Sequence, residues 1–296
     1  MKLFFYKSRI RSVHSRWLIV ILCAGVFFQF SCNLINPAEP VPAYVHIDSI
    51  SLSTGAGQGT SSNKITDAWV YVDGTLIGTF ELPATFPVLW AGSHKLTIRA
   101  GILLNGISST RVIYPFYSGY DTIVNFESAK TIYAKPVTAY ASFTQFKIED
   151  FDQQGSNLAR AAGSDTNINI IPNGTDLNTF DGSKCGAVYL DGSHGFFEYT
   201  WKDSFPLPLA PAFVELNYLS NNEFTVGLIS YTFSHTYIDE IVTFTAGDAW
   251  RKEYVNLTPY VEAYPNALGY KLFIKATKNS AMSNASLYFD NIKVVY

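Results

Sequence analysis

The sequence predicts an all-β protein, with a small N-terminal β-sandwich followed by a C-terminal β-jelly-roll sandwich. Strand-favouring residues dominate: aromatics make up 16% of the 296 residues, with 19 Tyr and 22 Phe, against 15% charged residues. Apolar residues alternate with polar ones over short runs instead of recurring at helical spacing. Turn dipeptides punctuate these runs: Asp73-Gly74, Asn173-Gly174, Asp181-Gly182, Asp191-Gly192 and Asn221-Asn222. The length suits two domains.

Residues 1–32 read differently. Lys2, Lys7, Arg9, Arg11 and Arg16 form a basic stretch without an acid, and WLIVILCAGVFFQF (17–30) is apolar. This is the layout of a secretory signal. About 14 apolar residues at ~1.5 Å each reach about 21 Å, short of a ~30 Å hydrocarbon core, which argues against a membrane-spanning helix. Ser31-Cys32 then resembles a bacterial lipobox, although Gln29 stands where an aliphatic residue is usual. The resemblance implies a lipidated Cys32, a bilayer partner and an outer-membrane address, periplasmic or surface-facing. Residues 33–43 carry Pro37, Pro40 and Pro42 and read as a semi-extended tether. Without residues 1–31 the chain holds 16 Lys+Arg against 24 Asp+Glu, a formal charge of −8. Such an acidic surface repels phosphate backbones, so nucleic acid is not expected as a partner.

The first folded segment spans 44–137. YVHIDSISL (44–52) alternates, GAGQGTSSN (55–63) is a polar loop, and DAWVYVDGTLIGTF (67–80) reads as a hairpin about Asp73-Gly74. Pro83 and Pro87 exclude their segment from a central strand. With HKLTIRA, RVIYPFY, DTIVNFE and KTIYAKP this gives about seven or eight strands, the density of a β-sandwich. VYVDGTLIGT with Pro87, Val88-Leu89, Gly92 and HKLTI is similar to PEGA-type modules, which implies a small β-domain used as a spacer or for interaction. The aromatics of IYPFYSGY (113–120) fit either a binding surface or a plug at the end of the sandwich.

The second segment spans 138–296 and shows about ten strand-like runs, as in a jelly roll or similar double-sheet sandwich. KIEDF (147–151), GAVYLDG (186–192), GFFEYTW (195–201), FVELNYLSNNEFTVGLIS (213–230), WRKEYVNLTPYV (250–261) and YFDNIKVV (288–295) follow one another in an order that resembles the carbohydrate-binding-module type of jelly roll, the galactose-binding-like fold. The resemblance implies first and last strands side by side. It also implies that Asp290, in the closing strand, either helps Glu149 or Asp150 hold a structural Ca²⁺, with Asp181 or Asp191 contributing, or caps backbone N–H groups without metal. Calcium takes six to eight oxygens, so these carboxylates alone do not complete a site. No cofactor is required.

No H-x-x-x-H, C-x-x-C, G-x-S-x-G or glycine-rich phosphate loop occurs, so an enzyme is not expected. Cys185 reads as a small buried hydrophobe. The leading reading is non-catalytic binding of a glycan or envelope polymer through the jelly roll. The expected ligand residues are Trp201, Tyr199, Tyr218, Asn217 and Tyr231, with Trp201 either an exposed platform or a core plug. The alternative is a structural, protein-contacting lipoprotein of an outer-membrane assembly. An exposed Trp201 in a groove favours the first reading, a buried ring the second.

Overall fold

The computed structural model describes residues 39–153, 155–172, 180 and 184–296. Cys32, Asp181 and the turns at 173–174 and 181–182 lie outside them. The chain is almost wholly β and forms two sandwiches with separate cores.

In the first unit, strand Asp67–Val72 pairs with Thr75–Glu81 and with the long strand Gly92–Leu103, which also takes Arg111–Ile113 and Tyr120–Phe126. Asp73 and Gly74 both have positive φ (49° and 80°), as the two-residue hairpin demands. A facing sheet is built from Ala43–Ile47 between Ala84–Val88 and Thr131–Ala134. Pro87 therefore sits on an edge strand, where its missing N–H is harmless. Val137–Ala139 pairs with Ser51–Ser53. Val45, Ile47, Val70, Val72, Leu96 and Ile98 fill the space between the sheets.

The second unit is a double-sheet antiparallel sandwich. One sheet runs Asn169–Pro172, Lys184–Leu190, Ala285–Val295, Phe213–Ser220, Arg251–Asn256, with Phe146–Glu149 also paired to the closing strand. First and last strands thus lie side by side. The other sheet runs Leu158–Arg160, Phe196–Trp201, Gly269–Thr277, Phe224–Tyr231, Thr236–Phe244. Cys185 is buried.

The polar pair inside the closing strand has a backbone cause. The register with Phe213–Ser220 shifts between Glu215 and Asn217, so Asn291 and Ile292 oppose Leu216 alone. Asn291 has φ 47°, the left-handed position of a β-bulge, which Asn tolerates and β-branched residues do not. Asp290 Oδ1 accepts the Asn291 N–H at 2.7 Å and fixes the kink.

The first unit is no free-standing spacer, because it is docked on the outer face of the sheet holding the closing strand. Phe213, Tyr254 and Val295 of the second unit belong to the first unit's core. Tyr114, Phe116 and Tyr117, from the aromatic run at 113–120, are buried at this junction; Tyr114 packs edge-on to Phe213 at 5.2 Å. The glycine-rich loop lies along the same face. Lys293 Nζ donates to the Thr60 carbonyl at 2.8 Å, and Lys64 pairs with Glu253 at 2.6 Å. At Gly59 (φ 72°) a Cβ would lie 2.7 Å from Lys293 Cε, so a side chain there would be strained and would displace the lysine.

At the centre of this junction Glu215 is fully buried. Lys252 pairs with it at 2.8 Å, while the hydroxyls of Tyr114 and Tyr140 donate to it at 2.8 and 2.9 Å. Burial pushes the Glu215 carboxyl up, but Lys252 and Lys293 outweigh it and hold the group below its ordinary value. Burial, with repulsion from Lys252, depresses Lys293 to about 8 against the pull of Glu215.

Candidate functional site

The strands place most expected ligand residues inside the molecule. Along Phe196–Trp201 the burial alternates, with Phe197, Tyr199 and Trp201 facing the opposite sheet. Trp201 is 6% exposed and meets Phe205 edge-on at 6.0 Å, so it presents no ring face to a ligand. Tyr199 is buried, stacks on Phe197 and donates to Asn167 at 3.3 Å. Tyr218 is buried against Phe224 and Phe244. Asn217 is buried on the other face of the same sheet, where its amide donates to Ser62 Oγ across the junction at 3.1 Å. The expectation of a Trp201-centred site is corrected: these side chains are core and junction. Tyr231, at the end of its strand, stays half-buried.

The expected metal carboxylates are also kept apart. Glu149 lies opposite Ile292, whose side chain is in the core, whereas Asp290 lies opposite Asn217, which faces the first unit. Alternation therefore sends the two carboxylates to opposite faces of the sheet. Glu149 already accepts from the N–H groups of Phe151 (2.9 Å) and Asn157 and from Ser156 Oγ (2.8 Å). Asp150 accepts the Asp152 N–H at 3.2 Å, and Asp191 caps its own turn through the N–H groups of Ser193 and His194. These residues do not fit a calcium shell. Among the described residues no group of three or more His, Cys, Asp or Glu could hold a metal.

The second sandwich does carry an aromatic platform elsewhere. Tyr237 lies on the edge strand Thr236–Phe244, and Tyr264 closes the one-and-a-half-turn helix Thr258–Ala263. Their rings stack at 4.2 Å and 18°, with Tyr237 37% exposed. His235 stands 6.0 Å from Tyr237. Asp239 lies on the same edge strand; burial raises its carboxyl against the opposing pull of the Tyr264 hydroxyl. Burial likewise raises the Tyr264 phenol, with the Asp239 charge adding to it. Tyr231, paired to Thr236, is at the same end of the sheet. Rings, a carboxylate and an imidazole on one open edge can stack against a sugar face and bind its hydroxyls. Sequence reasoning missed this pair because Tyr237 and Tyr264 sit on separate elements; the Tyr-Ile-Asp run at 237–239 is the local signal.

No family model and no curated protein matches the chain. Similar solved structures include a chain described as carbohydrate-binding modules of the β-sandwich superfamily with promiscuous specificity (13% identity, 76% of this chain and 83% of that chain, TM-score 0.38). A family 29 carbohydrate-binding module matches at 8% identity over 51% of this chain and 88% of that chain, TM-score 0.33. The CBM22-1–GH10 modules of Clostridium thermocellum xylanase 10B, complexed with xylohexaose, match at 14% identity and TM-score 0.36 over 50% of this chain. This chain spans 28% of that xylanase structure.

Proposed function

We propose that this chain is a non-catalytic saccharide-binding protein of the cell envelope, lipid-anchored through Cys32 at the outer membrane, whose jelly-roll unit takes an envelope glycan on the Tyr237–Tyr264 edge. The stacked tyrosine pair beside Asp239, with Tyr237 exposed and Tyr264 half-buried, carries this reading. One face of the sandwich is occupied by the first unit, which leaves the second sheet and its edge strand for a polymer. A lipid anchor would hold that edge at the membrane surface. The test is calorimetric titration of residues 33–296 against a panel of neutral glycans. Saturable binding that Tyr237→Ala abolishes supports the reading; binding that Tyr237→Ala leaves unchanged, or no binding to any glycan, contradicts it.

A second reading, protein contact in an outer-membrane assembly, is favoured by the burial of Trp201 and by Phe233, 96% exposed in the turn between strands Phe224–Tyr231 and Thr236–Phe244, with Leu268 70% exposed. Large apolar side chains left in water mark contact surfaces when they cluster. Crosslinking of an envelope partner that Phe233→Ser abolishes would favour this second reading.

A further inference from the structure

The first unit holds a groove of about 500 Å³ on the outer face of its larger sheet, lined by Tyr71, Lys95, Thr97, Arg99 and Asp121 among others. Strand alternation builds it. Ala68, Val70 and Val72 point into the core, so Trp69 and Tyr71 point outward; Leu96, Ile98 and Ala100 point in, so Lys95, Thr97 and Arg99 point out. Tyr71 is paired with Thr97, and Trp69 with Arg99. The Trp69 indole borders Gly101, where a Cβ would come within 2.9 Å of its Nε1. Asp121 is already engaged: Thr97 donates to it at 2.5 Å and Lys95 pairs with it at 3.0 Å. The exposed Arg99 guanidinium makes no close ion pair among the described residues, and its charge adds to the pull of Thr97 and Lys95 that holds the Asp121 carboxyl below its ordinary value.

We infer that this groove binds an anionic saccharide, with the sugar ring on Tyr71 and its carboxylate on Arg99. The groove carries Lys95 and Arg99 against Asp121, a net positive charge on an acidic protein. Its volume lies in the range of small-ligand sites. A guanidinium presents a planar fork that matches a carboxylate bidentately. A tyrosine face accepts the apolar face of a sugar, while Thr97, Lys95 and Asp121 offer hydroxyl partners. This site is separate from the Tyr237 edge and does not depend on it.

The test is calorimetric titration of residues 33–296 with tetragalacturonate and with neutral galactotetraose. The expected result is saturable, salt-sensitive binding of the uronate that is at least tenfold weaker for Arg99→Gln, intermediate for Arg99→Lys, and unchanged for Tyr237→Ala. Equal binding of the neutral oligomer by Tyr237→Ala, equal affinity of Arg99→Gln, competition by inorganic phosphate as effective as by the uronate, or no binding at millimolar uronate would overturn it. Arg99 is exposed, so thermal melts of both Arg99 variants matching the parent confirm that the fold is intact. Loss of binding in Tyr237→Ala alone would instead assign the uronate to the jelly-roll edge.

Discussion

The hydroxyl of Tyr140, which bridges to Tyr117 and packs in the first unit's core, donates to both carboxylate oxygens of Glu215, in the second unit, at 2.9 Å each. This joins two sandwiches whose sequences look independent. Glu215 is fully buried, and its charge is balanced by Lys252 on the neighbouring strand.

Removing one member of a buried ion pair leaves the other uncompensated, which costs about 3–5 kcal/mol. Glu215→Ala is therefore expected to lower the unfolding free energy by about that amount in urea titrations. Glu215 is held below its ordinary value, so its contribution is present above the unfolded carboxylate range and is lost as pH falls through the folded value. Acid unfolding of the parent should accordingly be steeper than that of Glu215→Gln.

Lys293 carries the opposite chemistry with the same sign of slope. Its folded value is about 8, below an ordinary lysine, so the unfolded chain binds the extra proton between the two values. Stability of the parent relative to Lys293→Met should rise as pH rises from about 8 to about 10. A flat difference across urea midpoints at those pH values would mean that Lys293 is solvated like a surface lysine.

Asn291 should tolerate Gly and reject Val. The left-handed conformation costs an ordinary L-residue about 1–2 kcal/mol, and a β-branched one more. Thermal melts of Asn291→Gly and Asn291→Val should therefore straddle the parent or leave only the valine variant low.

Trp201→Ala should destabilise by about 3–5 kcal/mol, as large core truncations do. At temperatures where that variant is folded, its glycan affinity should equal the parent's. A selective loss of affinity with an unchanged melt would place Trp201 in a ligand site.

Much of the architecture was legible. Asp73-Gly74 announced its hairpin because two successive positive φ angles suit few residue pairs. Pro87 announced an edge because it lacks a donor. Alternation in FFEYTW separated two faces, but it could not say which one met the core, and so Trp201 read equally well as platform or plug. The docking of the two units was hidden for a related reason. Glu215, Asn217 and Lys293 alternate with apolar residues, a pattern that a solvated face shares, and Lys252 sits between two charged residues. They are buried by Tyr114, Tyr140 and the loop at 55–66, which lie far away in the chain. Tyr237 and Tyr264 were hidden by the same kind of distance.

The central claim is that the two sandwiches fold as one unit about Glu215. Native-state amide hydrogen exchange measures it directly, on peptides from Gly92–Leu103 and Gly269–Thr277. The account predicts that both strands exchange through one opening of equal free energy, and that Glu215→Ala lowers both together. Unequal opening free energies, or a loss confined to one strand, would contradict it.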